Sequence, residues 1–428
     1  MRREGVSLFK MQRKKPGMWG WEFWLLFIFT RKIFTFRHLF AILILIIQSG
    51  GIKVEKTENT PQEVINEIPA EGAAPKKRSK LRTFLKYLGR VALVLLETVL
   101  LVAFALYGVM YVLAKGPSPT ARDLFVMSVR ETSAMGFLAN LYFTDEQIAQ
   151  IEAKEPVDEY LETDSSLVEI PDATQPTGDD ESGPVADQWG LVDEDGDGII
   201  VETVKGEGYT GLMMVILDPS RVIMGAVPES FGSQSYTVSN MAERFGAVAA
   251  INAGGFVDPD GEGDGSTPDA MVVYEGKIYY QHKGIRSGFV GLDSQHILHV
   301  GQFTVEDIKE REIQYGVGFG PLLVVNGEIP TISTTGVNPR TAIGQRSDGA
   351  ILFLVIDGRQ LSSLGCTCRD LAEIFLSYGA VNACNLDGGS STLMWYQDRY
   401  INNCASVIGI RPVPTTFLVL EKGAQDNG

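Results

Sequence analysis

Residues 91–114 form an apolar run of about two dozen positions whose only charge is Glu97, long enough to cross a bilayer as a helix. No other feature limits the architecture so strongly, because what lies on either side of such a span must fold in different compartments. Lys76, Lys77, Arg78, Lys80, Arg82, Lys86 and Arg90 come just before it. Basic flanks resist translocation, so residues 76–90 are expected to stay in the cytoplasm and everything beyond Lys115 to lie outside it. The run is too long for the hydrophobic part of a cleaved signal peptide and starts too deep in the chain, which favours a retained, single-pass anchor in the cell membrane. Glu97 is costly in lipid, but it sits toward the cytoplasmic end, within reach of the interface or a partner helix.

Residues 1–75 are an N-terminal extension. Two apolar runs in it, residues 19–29 and 39–47, are about ten residues each, short for independent spans. The pairs Arg31-Lys32 and Arg37-His38 separate them. A bent hairpin or an interfacial segment with additional membrane contact would suit them. An over-extended start is the other reading, since flank and anchor are complete without them.

Thirty-seven basic residues against 53 acidic ones give a net charge of −16, and the basic residues crowd the first ninety positions. The outer part is therefore acidic, which argues against a nucleic-acid partner. Residues 115–188 open with a helical pattern through Ile148 and Ile151, expected to be a juxtamembrane helix. Residues 152–187 follow, rich in Asp, Glu, Pro, Ser and Thr, and read as an acidic tether because they carry too little apolar surface to fold alone. Residues 189–422 then read as an α+β domain, a mixed β-sheet core with a few packed helices.

Within that domain, residues 211–217 and 221–227 are expected to pair as strands across Asp218-Pro219-Ser220, and residues 317–325 to form one strand. Residues 351–356 are apolar throughout, the mark of a central strand covered on both faces. Residues 258–269, rich in glycine and aspartate, read as a flap or a disordered tip. Asp193, Asp195 and Asp197 before Gly198 resemble the start of a calcium loop, but Val204 stands where the closing glutamate should be, so a solvated acidic turn is expected.

The chemistry concentrates in residues 381–396. A helix should precede them, with Leu371, Ile374, Phe375 and Tyr378 on one face, a capping box of Thr367 and Asp370, and a stop at Gly379. A short buried strand then breaks at Asp387-Gly388-Gly389. Asn385 and Asp387, one residue apart, can project the same way from its end. Gly388, Gly389, Ser390 and Ser391 offer amides and hydroxyls without bulk, a cradle for an anionic oxygen. The same device, a strand ending in an amide and then paired glycines, recurs at Asn252-Ala253-Gly254-Gly255. A third polar strand end is Asp357-Gly358-Arg359, and Arg340-Thr341 lies just ahead of it. Arginine presents a planar fork suited to phosphate oxygens, and a carboxylate can act as base or nucleophile at a sugar carbon.

These four segments, Asn252 to Phe256, Asn338 to Gly344, Asp357 to Arg359 and Asn385 to Thr392, in this order resemble the phosphodiester glycosidase family. The resemblance spans roughly residues 193–420. It implies hydrolysis of the bond between a sugar's anomeric carbon and a phosphodiester oxygen, and it places Asn252, Arg340, Thr341, Asp357, Arg359, Asn385 and Asp387 on motif positions. On the chemistry of the side chains, Asp387 is expected as nucleophile or general base, with Asp357 as its proton-transferring or orienting partner and Asn385 beside them. Arg340, Thr341, Arg359, Asn252, Gly254, Gly255, Gly388, Gly389, Ser390 and Ser391 are expected to hold the substrate and its phosphate.

No cofactor follows with certainty; a divalent cation between Asp357 and Asp387 is the candidate. Cys366, Cys368, Cys384 and Cys404 permit disulfides, with three connectivities open. His296 and His299 are expected to face solvent. The expected function is a membrane-anchored, extracytoplasmic hydrolase of sugar-1-phosphodiesters in surface or extracellular glycans. The alternatives are a non-catalytic polysaccharide-binding module and a transferase or assembly factor in exopolysaccharide synthesis.

Overall fold

The computed structural model describes residues 80–132, 135–153, 161–170, 186–280, 288–333, 335–406 and 409–423. The expectations for residues 1–75 lie outside them. From Phe84 onward the chain forms one compact unit.

Helix α1 (Lys80–Lys115) contains the apolar run, and its segment Phe84–Lys115 is long and apolar enough to cross a membrane. Three short helices follow: α2 (Pro119–Arg130), α3 (Phe137–Asn140) and α4 (Asp145–Glu152). Ser118 caps α2, while Thr144 and Gln147 form a capping box on α4. The three fold back on the end of α1, burying Ala114 with Val126, Met127, Ala139, Tyr142, Phe143, Ile148 and Ile151. Of the expected tether, residues 161–170 lie on the outer domain. There Thr163 is buried and its hydroxyl donates to Val300 O, and Glu169 N donates to Ser347 O.

The outer domain contains three sheets whose ladders run antiparallel, of six, five and five strands. The α+β class is as expected. The strands in chain order are β1 (Ile199–Gly206), β2 (Tyr209–Ile216), β3 (Val222–Ala226), β4 (Ala247–Asn252), β5 (Val272–Tyr274), β6 (Lys277–Tyr280), β7 (Gly288–Asp293), β8 (Leu298–Gln302), β9 (Ile313–Gly318), β10 (Leu322–Val324), β11 (Arg340–Arg346), β12 (Ile351–Ile356), β13 (Ala380–Leu386), β14 (Met394–Tyr396), β15 (Arg399–Tyr400) and β16 (Thr415–Leu420). The six-stranded sheet has the order β1-β2-β12-β11-β13-β10, and the others run β15-β14-β4-β16-β3 and β6-β5-β9-β7-β8.

Their inner faces share one core, with Met214, Ile251, Val290, Phe353, Leu386 and Phe417 fully or almost fully buried. Each outer face is closed by one helix: α7 (Cys368–Ser377) on the first, α5 (Val238–Phe245) on the second and α6 (Val305–Glu310) on the third. β12 is buried along its whole length between β2 and β11, as its unbroken apolar sequence requires. Helix α7 has the expected capping box of Thr367 and Asp370, and Gly379 takes the left-handed conformation that ends it.

Four expectations are corrected. β2 and β3 do not pair: the turn Pro219–Arg221 passes the chain from one sheet to another, and β2 pairs with β1 and β12 while β3 pairs with β16. Both strands are buried, so apolar content could not tell which neighbour each would take. Residues 317–325 are two strands, β9 and β10, broken at Phe319-Gly320-Pro321 because proline cannot donate to a ladder. Residues 258–269 are fastened: Asp258 takes a two-pronged ion pair from Arg411, and Phe256 bridges Pro268. His299 is buried and bonds Asp293 at 2.8 Å.

The other expectations concern side chains. Asp193, Asp195 and Asp197 close an acidic turn in which carboxylate oxygens accept from Gly196, Gly198 and Ile199 amides. The four cysteines are free thiols, three of them buried.

Candidate active site

The ends of β4 and β13 meet at the centre of the site. Asn252, the last residue of β4, is fully buried, and its side chain is wholly engaged. Its Nδ2 donates to Asp387 O at 2.6 Å, while its Oδ1 accepts from Thr341 Oγ1 at 2.8 Å and from Leu393 N at 3.1 Å. Asp387 N in turn donates to Ala253 O at 2.9 Å. Asn252 and Thr341 therefore tie β4, β11 and the Asp387 turn together, leaving neither polar group to face a substrate.

Gly254 and Gly255 keep this junction thin. Gly254 N donates to Thr415 Oγ1 at 3.0 Å, and a Cβ on Gly255 would come within 2.7 Å of the Asp269 carboxylate. Across the junction, a Cβ on Gly388 would meet Pro339 O at 2.7 Å. Gly389 has φ +62°, and a Cβ there would lie 3.3 Å from Arg359 Nη2. Two turns of backbone thus let a carboxylate and a guanidinium approach from opposite sides.

Asp387 is half-buried. Burial pushes its carboxyl up to about 7 against a hydrogen bond from Ser391, and the nearby Asp269 charge raises it further while Arg411 pulls it down. A carboxyl poised there can accept a proton at neutral pH and yet be a far stronger base than an ordinary aspartate. Ser391 is buried under it, and Ser390 Oγ lies 3.4 Å from Arg411 Nη1.

The expected arginine pair is divided. Arg359 has φ +57°, and its Nη2 donates to Thr132 Oγ1 at 2.9 Å and, more weakly, to Asn338 Oδ1 at 3.4 Å. Desolvation and then the like charge of Arg340 lower its pKa. Arg340 is buried, with Nη2 donating to Glu131 Oε2 and Gly336 O, both at 2.6 Å, and Nε to Cys366 O at 3.3 Å. Glu131 also accepts from Gly336 N at 2.7 Å and Asn338 Nδ2 at 3.1 Å. The segment after α2 thus neutralises Arg340 and leaves Arg359 as a cation beside the glycine turn.

Asp357 and Asn385 sit at the margin. The Asp357 carboxylate accepts from Asn403 N at 3.0 Å, Asn403 Nδ2 at 2.8 Å and Asn402 Nδ2 at 3.4 Å, which holds the 402–403 loop. Asn385 is buried with Nδ2 on Gly320 O at 2.8 Å, while its Oδ1 has no partner. Among the described residues, the only cluster of three ligand side chains geometrically able to hold a metal is Asp193, Asp195 and Asp197, which contains neither Asp357 nor Asp387.

Sequence reasoning missed Asp269, Arg411, Glu131 and Thr132. Asp269 and Arg411 stand in loops without periodicity, and only the glycine content of residues 258–269 hinted that something approaches closely there. Glu131 and Thr132 come from a segment read only as a connection to the anchor.

Residues 245–420, which hold these paired-glycine turns, match the model of the phosphodiester glycosidase family. The chain is 33% identical over 186 residues to the uncharacterised SPβ prophage-derived protein YomE of Bacillus subtilis, covering 40% of this chain and 28% of that protein. It is 28% identical over 178 residues to N-acetylglucosamine-1-phosphodiester α-N-acetylglucosaminidase of Bos taurus, covering 36% and 32%. The chain therefore spans about a third of the length of the curated relatives it matches. The catalytic domain of the zebrafish enzyme of that name superposes with a TM-score of 0.44 at 20% identity, covering 52% of this chain and 82% of that one.

Proposed function

We propose that this protein is a membrane-anchored hydrolase of sugar-1-phosphodiesters, held by α1 with its outer domain beyond the cytoplasm and acting on surface or extracellular glycans. The observation that carries the reading is Asp387, whose carboxyl burial pushes up to about 7, two residues before Gly389, where a Cβ would lie 3.3 Å from Arg359 Nη2. Asp387 takes a proton from water as the water oxygen bonds to the anomeric carbon. The bond from that carbon to the phosphate oxygen breaks, and a phosphomonoester departs with its charge on Arg359. A phosphate is a good leaving group, so no second acid is required. Asn385 Oδ1 is buried and the Gly389 amide already donates to Pro339 O at 2.9 Å, so both shape the turn and do not hold the sugar.

The test is release of free sugar and phosphomonoester from an N-acetylglucosamine-1-phosphodiester by the full chain in detergent. Turnover that is lost in D387N, with the protein still folded, supports the reading. A folded wild-type protein that binds the diester and releases nothing overturns it in favour of a binding module. Sugar that appears on an added alcohol in place of water would make the enzyme a transferase.

A further inference from the structure

Helix α1 ends at Lys115, but the helices after it do not lead straight away from that end. Tyr142 Oη donates to Tyr107 O at 3.2 Å, and the Tyr142 ring lies 5.4 Å from that of Tyr107. Tyr107 is two helical turns before Lys115, about 12 Å back along the axis at 1.5 Å per residue. The hairpin made by α2 and α3 therefore descends beside the span. Tyrosine is a residue of membrane interfaces, and Lys115 over the Phe143 ring, at 4.3 Å, marks the same level. The hairpin's free side is apolar: Phe137 is 62% exposed, Leu141 56% and Met135 51%.

This hairpin also touches the site. Met135 N donates to Thr132 O, and Thr132 Oγ1 accepts from Arg359. Only Thr132 and one hydrogen bond on each side of it, both 2.9 Å, separate the Arg359 guanidinium from the Met135 amide. Past Arg359 the loop carries Leu361, fully exposed, and Leu364, 60% exposed. Single exposed leucines need no explanation, whereas a set joined to the hairpin of a spanning helix and to a cation does.

We infer that Met135, Phe137, Leu141 and the Leu361–Leu364 loop rest in the outer leaflet, so that the Arg359 side of the site opens at the lipid surface. Its substrate class is then a sugar-1-phosphodiester whose second alcohol is a lipid. The inference rests on the proposed anchor and hydrolase. The sugar and phosphate reach Asp387 and Arg359 from the headgroup layer while the lipid chain stays among its neighbours, and a lipid phosphomonoester is left in the membrane. An apolar loop in lipid avoids exposing two leucines to water and removes the need to pull the substrate from the bilayer.

The experiment uses the full chain in nanodiscs of phosphatidylcholine and phosphatidylglycerol, with Cys404 replaced by serine and nitroxide labels on F137C, L361C and R399C. Residue 399 lies in β15 opposite Tyr396, which itself stands opposite Ala249, three residues before Asn252 in β4. Labels at 137 and 361 should be more accessible to oxygen than to a water-soluble nickel chelate, and the label at 399 the reverse. Labels at 137 and 361 that match the one at 399 overturn the contact.

In the second arm, F137D and L361D should each slow hydrolysis of a lipid-linked sugar phosphodiester about tenfold, the size of one lost leucine-like contact. A short-alkyl soluble analogue should be cleaved at the wild-type rate. Equal effects on both substrates, or none, overturn the lipid assignment. Wild-type protein inert toward both refutes the hydrolase reading and the lipid substrate with it, while the labels still decide the membrane contact. Alkaline extraction of membranes separately decides the anchor.

Discussion

Strands β4 and β13 end alike, each with an asparagine followed shortly by two glycines, and the two ends are laced by hydrogen bonds. They do opposite work. Asn252 commits its whole amide to Thr341, Leu393 and Asp387, and becomes a rivet. Asn385 keeps an oxygen without a partner, and its strand runs one residue further before the glycines. That residue is Asp387. One insertion in a shared design separates a scaffold from a reactive group, and the scaffold end fixes the reactive end in place.

The contrast is broken most directly at Asp387. D387N should lower kcat by about a thousandfold, the scale of general-base removal. It should also raise stability, by about 1–3 kcal/mol at pH 8. The folded state prefers the protonated carboxyl, so the stability tied to it is fully present below the ordinary carboxylate pKa and is lost as pH rises through about 7. Asparagine, which never ionises, escapes that loss. Thermal melts at pH 5 and 8 check this: the gap between mutant and wild type should widen at pH 8, and a mutant less stable at both would remove the evidence for a buried, strained carboxylate. In wild type, kcat/KM should climb with pH through about 7.

N252A tests the rivet. It removes three hydrogen bonds at a buried position and should cost about 2–4 kcal/mol by denaturant unfolding. A loss under 1 kcal/mol with normal kcat would make the two strand ends independent. R359A should lower kcat for a phosphodiester about a hundredfold and move KM less, read from initial rates, because the departing phosphate's charge falls on this arginine. The smallest effect is expected of D357N: about 1 kcal/mol of stability, with kcat within a few-fold of wild type, since both carboxylate oxygens already hold Asn402 and Asn403. A fall as deep as that of D387N would return Asp357 to proton transfer.

Local chemistry was legible in the sequence wherever neighbours along the chain decide the outcome. The capping box of Thr367 and Asp370, the stop at Gly379 and the buried run of β12 each follow from a handful of adjacent residues. Pairing was not legible where two buried strands offered equal apolar faces, which is why β2 and β3 went to different sheets. His299 was misjudged because a buried imidazole depends on Asp293, across the β7–β8 turn. The site divides the same way. Asp387, Arg359 and the glycines stand in compact motifs, while Asp269, Arg411 and Glu131 reach the site through tertiary contacts of residues that carry no local pattern.

The Glu131–Arg340 pair bears on where this chain can be cut. The boundary that composition suggests, near Asp187, and the one that family similarity suggests, at residue 245, both discard Glu131. Arg340 would then keep only carbonyl partners, and losing a charge-assisted bond to a partly exposed glutamate costs about 1.5–3 kcal/mol. A recombinant fragment beginning at either boundary invites aggregation for reasons unrelated to its chemistry. One beginning just ahead of Pro119 keeps the counter-ion and leaves the long apolar helix α1 behind.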